Sequence, residues 1–301
     1  MKSSYCFFFL FFVFLISNCS IKNLSNWQYI DTTKPTLTPQ VFAKGFISQD
    51  SISEYGSIFS KDGSEFYFGI DTGEKSEIHY SQYINGKWST PIPIFAHDIY
   101  SYNDPFLSPS EDRLYYISDM PRNEQDTIKD IDIWYSKKIK KGWSEPVNAG
   151  SHINSDRNEY YISFTKEGTM YFASNKNTTL KRKHDFDIFY SPFLDKEFQP
   201  SVKVSEAINT KWYEADVFIA PDESYIIFCS FRRTGLGEGD LYISFKDARG
   251  EWQAAQNMGI PINSEKHELC PFVTADGKYF FYTSNQDIYW VSTDIFDTFR
   301  K

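Results

Sequence analysis

The sequence predicts an all-β fold, a five-bladed β-propeller built from four-stranded blades. Three observations lead to this prediction. Aromatic residues make up 19% of the 301-residue chain, and flat rings pack well on half-buried strands. Short apolar runs alternate with Asp-Gly, Glu-Gly and Gly-Lys turn signals, and no segment holds a helical period. The whole pattern returns after about 54 residues, and four short strands in a unit of that size are typical of a propeller blade.

One phrase opens each unit, and it is clearest at Ile153, Ile208 and Ile262, where Ile-Asn-Ser or Ile-Asn-Thr precedes a Glu. The Glu begins the first predicted strand, and a tight turn leads into a second strand rich in aromatics. A third strand begins with Asp, as in DIFYS from Asp187. The fourth predicted strands are GKWSTP from Gly86, GWSEP from Gly142, KEFQP from Lys196 and GEWQAA from Gly250.

The strand count predicts how the ring closes. The first three strands occur five times, whereas the fourth follows only the first four copies. The segment TPQVFAKGFIS, residues 38–48, precedes Glu54 as the fourth strands precede the later Glu residues. We therefore expect it to complete the last blade, which would remove two exposed sheet edges. The predicted organisation is a signal peptide at 1–18, a lipidated cysteine and polar tether at 19–38, and the propeller at 39–301.

The N-terminus predicts export. Lys2 precedes an apolar run from Cys6 to Ile16 that is too short to span a bilayer comfortably. The run ends in LISNC, which resembles a bacterial lipobox with Cys19 as the lipidated residue, although Asn18 is unusual before the cysteine. The alternative is an ordinary secretion signal. The lipobox predicts a protein of the cell envelope, anchored to the outer membrane and facing the periplasm or the surface.

The repeated phrases resemble the WD40-like (PD40) β-propeller repeat of TolB-like periplasmic propellers and envelope lipoproteins. The resemblance covers nearly all of 39–292, through the Glu of each phrase, the turn and the D-I-aromatic-Y-S strand. It implies a propeller. It implies little about activity, because propellers serve as enzymes, scaffolds and binding proteins alike. TolB has six blades and an additional N-terminal domain, so its role does not follow.

Acidic residues at the start of the first strands are the first candidate binding site, as a rim around the channel mouth. In the second blade Tyr102 takes this position, and the acid lies two residues further on. The alternative is that each Glu accepts backbone hydrogen bonds from the loop before it. The candidate rim residues are Glu54, Asp104, Glu159, Glu214 and Glu268.

Loops between second and third strands should emerge on the same face, and they supply the other candidates. Lys181 and Arg182, and Arg232 and Arg233, form basic clusters that would suit an anionic partner; the alternative is a solvated loop. Trp212 has no counterpart in the other repeats and is the candidate stacking platform. The recurring Trp88, Trp143, Phe198 and Trp252 are expected to pack in the core or between blades.

Several chemistries are not supported. The net charge of −9 argues against nucleic acid as a partner. No G-x-S-x-G nucleophile motif occurs, and the five histidines show no paired ligand spacing, so we predict neither a cofactor nor a metal site. Cys229 and Cys270 lie in apolar strands and are expected to be buried thiols, with a disulfide as the alternative.

The sequence therefore predicts a non-catalytic envelope lipoprotein whose propeller binds a protein or a glycan, or serves as a scaffold. The partners would be an envelope protein or a glycan, and the membrane through Cys19. The alternative is a glycoside hydrolase or lyase that uses carboxylates at the channel mouth. A purely structural envelope protein is the third possibility.

Overall fold

The computed structural model describes residues 27–95, 99–177 and 185–300 and is built almost entirely of short strands. In chain order they are β1 (Gln40–Val41), β2 (Ser53–Phe59), β3 (Glu65–Asp71), β4 (Ser76–Ile84), β5 (Lys87–Trp88), β6 (Ile92–Pro93), β7 (Tyr102–Leu107), β8 (Arg113–Ser118), β9 (Asp132–Lys137), β10 (Val147–Asn148), β11 (Glu159–Phe164), β12 (Met170–Ser174), β13 (Asp187–Ser191), β14 (Phe193–Leu194), β15 (Glu197–Phe198), β16 (Val202–Lys203), β17 (Glu214–Ile219), β18 (Tyr225–Ser230), β19 (Asp240–Phe245), β20 (Gln256–Asn257), β21 (Glu268–Val273), β22 (Tyr279–Ser284) and β23 (Asp287–Ser292). A 3-10 helix, Thr293–Thr298, follows β23.

These strands form five antiparallel blades, so the predicted fold is confirmed. From the centre outwards the blades are β2-β3-β4-β6, β7-β8-β9-β10, β11-β12-β13-β16, β17-β18-β19-β20 and β21-β22-β23-β1. The five first strands, β2, β7, β11, β17 and β21, each contact the next around the ring, and β21 contacts β2. They surround a central channel. We call the end where the first strands begin the upper face and the opposite end the lower face.

The N-terminal strand closes the ring as predicted. β1 pairs with β23 through Gln40–Trp290 and Val41–Tyr289. The next residue, Phe42, is fully buried and packs its ring 5.3 Å from Phe66 of blade 1 and 5.0 Å from Phe281 of blade 5. A buried aromatic of this kind contributes about 2–3 kcal/mol. The closing strand therefore joins the first and last blades through their shared core.

The predicted positions of the fourth strands were wrong. The segments around Trp88, Trp143, Phe198 and Trp252 do not form the outer edge; each turns back to pair with the end of the third strand. The outer strands come about four residues later and are two residues long, for example Ile92–Pro93. A short edge strand leaves few unpaired backbone groups. The aromatic residues do pack between blades in two cases, since Trp143 lies 6.3 Å from Tyr67 and Phe198 lies 6.3 Å from Tyr115.

Residues 27–38, assigned to a polar tether from the sequence, pack on the lower face. Trp27 and Tyr29 are each only 7% exposed. The Tyr29 hydroxyl donates to Asp276 in the β21–β22 turn, and the Trp27 ring fills the space beside Gly63 in the β2–β3 turn. The segment was assigned to a tether because most of its residues are polar, although it contains the two aromatic residues that pack against the propeller. Across the part of the chain that is described, no helix is long and apolar enough to cross a membrane.

Candidate functional site

The Glu residues that open the first strands are buried anchors for the loops that precede them. Glu54, Glu159, Glu214 and Glu268 are 0% exposed. Glu159 shows the pattern: its carboxylate accepts from the backbone N–H of Ser155 at 3.0 Å, from the Ser155 hydroxyl at 2.7 Å and from the Ser174 hydroxyl at 2.6 Å. Glu214 and Glu268 have equivalent donors. This arrangement matches the structural alternative for these residues, and it leaves them no exposed surface for a partner.

The Asn of the repeated phrase has a related task. Asn209 accepts from the backbone N–H of Ile188 at 2.6 Å and donates to the carbonyls of Ile188 and Val204 at 2.8 and 2.9 Å. Asn154 and Asn263 bind the third strands of their neighbouring blades in the same way. The phrase repeats because each copy ties one blade to the next. The need to join neighbouring blades is therefore enough to explain why the phrase recurs.

The channel is lined two residues further along each first strand. There the backbone adopts a left-handed conformation in every blade, at Gly56, Asp104, Tyr161, Asp216 and Cys270, with φ between 44° and 58°. The pairing with the second strand shifts register at the same place in all five blades. A bulge of this kind redirects a side chain out of the sheet. The bulges therefore turn these five residues towards the channel.

Tyr161 closes the channel below this ring. Its hydroxyl donates to the carbonyl of Pro271 at 3.0 Å, and because blades 3 and 5 are not neighbours, the bond crosses the channel. Below it, rings from the lower halves of the first strands approach one another: Phe106 of blade 2 lies 6.1 Å from Phe272 of blade 5. Together with residues of the lower-face turns, these rings line a cavity of about 290 Å³. We call the upper end of the channel, above Tyr161, the channel mouth.

Two buried carboxyls lie in the channel mouth. Asp104 and Asp216 come from blades 2 and 4 and are 7% and 8% exposed. Burial raises the pKa of Asp216 to about 7. Burial also raises the pKa of Asp104, with the Asp216 carboxyl adding to the rise and the backbone N–H of Tyr161 opposing it. No cationic side chain among the described residues lowers the pKa of either group, so burial is the largest cause of both shifts.

A continuous series of rings borders the same mouth across blades 3 to 5. We call it the aromatic arc: Tyr160, Phe186, Tyr213, Phe231 and His267. Successive ring centroids are 4.8, 5.5, 4.5 and 5.1 Å apart. Phe231 is 40% exposed, and Tyr160, Tyr213 and His267 are half-buried. The charges of Asp104 and Asp216 contribute to the raised pKa of Tyr160, after burial, so arc and carboxyls belong to one site.

Three of the basic and aromatic candidates lie beside the arc. Arg233 and Trp212 are brought together, with the guanidinium 5.4 Å from the ring centroid. The Arg232 side chain points into the protein and is 15% exposed. Its Nη2 atom lies 3.4 Å from the buried Glu214 carboxylate, and its guanidinium carbon lies 4.3 Å from the centroid of the Tyr242 ring. Arg232 is therefore a structural cation, whereas Arg233 remains on the surface. Lys181, Arg182 and Cys19 lie outside the described residues.

A mixed cluster of ligand-type side chains adjoins the arc. Asp216, Cys229 and His267 each offer one atom, and these atoms all lie within 4.8 Å of one another. The Cys229 sulfur is 3.4 Å from Nε2 of His267. Burial raises the pKa of the Cys229 thiol and lowers that of His267. Both Cys229 and Cys270 are buried free thiols.

Sequence reasoning found Asp104 but missed its counterparts. Asp216 stands two residues after Glu214, as Asp104 stands two residues after Tyr102, so aligning the repeats at that position would have identified it. The approach of Cys229 and His267 had no such signal. Cys229 reaches the channel because it pairs across the sheet with Ala215, next to Asp216. His267 precedes β21, and only the three-dimensional ring places it against blade 4.

Comparisons with known proteins place the fold but not the activity. A scan of protein-family models finds no match to this chain, and a search of curated proteins finds none either. Many solved structures are similar, including the following three. TolB from Acinetobacter baumannii is 11% identical with a TM-score of 0.51, over 81% of this chain and 55% of that one. A thermostable family-43 glycoside hydrolase is 12% identical with a TM-score of 0.52, over 81% and 90%.

The third is a protein of unknown function from Dyadobacter fermentans DSM 18053, 16% identical with a TM-score of 0.52, over 87% and 84%. This chain spans just over half the length of the TolB chain. At these identities the likeness concerns the fold alone. The fold and the channel mouth together define a five-bladed β-propeller with two buried carboxyls and a series of aromatic rings at the upper end of its channel.

Proposed function

We propose that this protein is a non-catalytic binding module of the cell envelope, of the WD40-like (PD40) repeat class, that holds a glycan in the channel mouth. The observation that carries the proposal is the aromatic arc beside the two channel carboxyls. Sugars present apolar C–H faces and polar hydroxyl edges. An arc of rings next to hydrogen-bond acceptors fits both features.

Each part of the mouth has a task in this proposal. Phe231 and Tyr213 stack face to face, 4.5 Å apart and 17° from parallel, and Phe231 offers its exposed surface to the sugar. Asp104 and Asp216 accept from sugar hydroxyls, and a carboxyl that is protonated can also donate. Trp212 and Arg233 extend the surface outwards and suit a glycan that carries a carboxylate. The buried Glu residues hold the loops in place.

The lipobox-like sequence at the N-terminus supports an envelope location. The packing of the residues that follow it implies which face of the propeller lies near the membrane. Trp27 and Tyr29 pack on the lower face, and seven residues lie between Cys19 and Trp27. A chain of that length reaches about 28 Å at full extension. With a lipid on Cys19, the lower face is held near the membrane and the mouth points away from it. A glycan outside the membrane surface would then have access to the mouth.

Glycan-array screening followed by titration calorimetry tests this function. We expect an oligosaccharide ligand whose affinity falls about tenfold in Phe231→Ala, which loses roughly 1.4 kcal/mol of stacking. Asp104→Asn should cost a similar amount, because it replaces one acceptor oxygen by an amide nitrogen that cannot accept. Phe193→Ala, on the lower face, is the matched control and should bind as the wild type does. Equal binding by Phe231→Ala and the wild type would show that the arc does not hold the sugar.

A second candidate is glycoside hydrolysis, and one observation favours it. Asp104 and Asp216 both lie in the channel with raised pKa values, and hydrolysis of a glycosidic bond uses a carboxylic acid and a carboxylate that flank that bond. The propeller of a family-43 glycoside hydrolase has a similar fold. Product analysis on the bound glycan separates the two functions: a hydrolase releases reducing ends, and Asp216→Asn stops the release without loss of binding.

A further inference from the structure

The cluster of Asp216, Cys229 and His267 offers a sulfur, a nitrogen and an oxygen from three separate segments of the chain. Asp216 comes from the bulge in β17, Cys229 from β18 and His267 from the loop before β21. A thiolate, an imidazole and a carboxylate are the three ligand types that zinc accepts in proteins. We propose that these three side chains bind one Zn²⁺ ion at the edge of the channel mouth. This proposal does not depend on the glycan proposal.

The distances suit a tetrahedral ion. With Zn–S near 2.3 Å and Zn–N near 2.0 Å, a tetrahedral ion holds its sulfur and nitrogen ligands about 3.5 Å apart. The Cys229 sulfur and His267 Nε2 are 3.4 Å apart. The largest separation in the trio is no more than 4.8 Å. Closing that gap to about 3.5 Å needs a shift of about 1.3 Å at most, within the reach of a carboxylate rotation.

The surroundings hold the imidazole in position. A Cβ on Gly239 would lie 2.5 Å from Cδ2 and 2.7 Å from Nε2 of His267, so the ring occupies space that any other residue at 239 would fill. A parallel bridge joins Gly239 to His267. Phe231 covers the ring with an edge contact at 5.1 Å. A ligand fixed in this way loses little freedom when an ion binds.

The charges also favour a cation. Asp104 and Asp216 lie buried in the channel, and among the described residues no Lys or Arg forms an ion pair with either. A divalent ion beside Asp216 would supply the missing positive charge, since buried carboxylates are normally paired or bound to metal. Three protein ligands leave a fourth position open. His267 also lines a cavity of about 430 Å³ with Tyr55 and Glu238, which gives water access to the imidazole.

Cobalt titration of the full-length chain, prepared metal-free and without a histidine tag, tests the site. Co²⁺ replaces Zn²⁺ in such sites, and a thiolate ligand gives it a charge-transfer absorption in the near ultraviolet. We expect that band to saturate at one Co²⁺ per chain and to be displaced by one Zn²⁺. Loss of an outer-shell group already weakens metal sites about 10–100-fold, so Cys229→Ser should abolish the band and weaken Zn²⁺ binding at least about tenfold.

Cys270→Ser is the matched control, because Cys270 is the other buried thiol of the channel and stands outside the trio. Its variant should keep the band and the affinity. Asp216→Asn, which preserves shape, should keep the thiolate band and weaken binding. A wild-type titration without a thiolate band, or a band that survives Cys229→Ser and disappears in Cys270→Ser, would overturn the proposal. The wild-type result stands even where a variant fails to fold.

Discussion

Replacing Glu159 by Gln should change how the stability of the propeller depends on pH. The Glu159 carboxyl is completely buried, and burial raises its pKa to about 7, with the hydrogen bonds from Ser174 and Ser155 opposing the rise. Gln has nearly the same shape and does not ionise, but its amide nitrogen cannot accept the hydrogen bonds that one carboxylate oxygen accepts. That loss does not depend on pH, so the change of the stability difference with pH isolates the cost of burying one negative charge.

The magnitude follows from the difference in pKa between the folded and unfolded states. Unfolded, the carboxyl titrates near 4.5, whereas in the folded protein it titrates near 7. Between these values the folded state binds more protons, so stability falls as pH rises. Below pH 4.5 the group is protonated in both states and contributes nothing, and above pH 7 the loss is complete. A shift of this size corresponds to about 3 kcal/mol.

Urea unfolding at pH 4.5, 6 and 8 measures the effect. The free energy of unfolding of Glu159→Gln relative to the wild type should rise by about 3 kcal/mol across this range. Glu197→Gln, at an exposed position on the lower face, controls for removal of one charge and should show a nearly constant difference. Parallel curves for Glu159→Gln and the wild type would refute the reasoning, because the donated hydrogen bonds would then fully offset the cost of burial.

Three further substitutions test the anchors. Asn209→Ala removes three hydrogen bonds to backbone and should cost about 3 kcal/mol in urea unfolding; a loss under about 1 kcal/mol would contradict its role in joining blades. Arg232→Ala should cost about 2 kcal/mol, since it leaves a buried carboxylate without its cation, whereas Arg233→Ala should change stability by less than about 0.5 kcal/mol. Tyr161→Phe should cost about 1–2 kcal/mol by leaving a carbonyl across the channel without a donor, and an unchanged unfolding midpoint would refute the bond.

The fold was predictable because each blade repeats the same hydrogen-bonding residues and the same turn at the same positions. Glu, Asn and the Asp-Gly-type turn recur at fixed spacing, and segment 38–48 had to fill the place left in the last blade. The outer strands were misplaced because their signal is weak: two residues such as Ile92–Pro93 hardly differ from a loop in sequence. Trp88 and its counterparts were assigned to the fourth strands because aromatic residues are common in strands. In the structure they lie in hairpins that turn back on the third strand.

The site was less predictable, because the residues that recur in the blades are structural and the residues of the proposed site differ between blades. The Glu residues recur because they anchor loops, and recurrence alone could not decide between an anchor and a rim. The channel residues differ from blade to blade, as Gly56, Tyr161 and Cys270 show, so no shared motif marks them. Their common feature is a left-handed backbone, which residue identity does not reveal outside glycine. The meeting of Cys229 with His267 depends on the closed ring.

A crystal structure of the protein with its preferred oligosaccharide tests the central claim most directly. The account predicts a sugar ring in the channel mouth against Phe231, with hydroxyls within hydrogen-bond distance of Asp104 or Asp216 and the lower face empty. Sugar bound on the lower face or at the blade edges, with the mouth unoccupied, would contradict it.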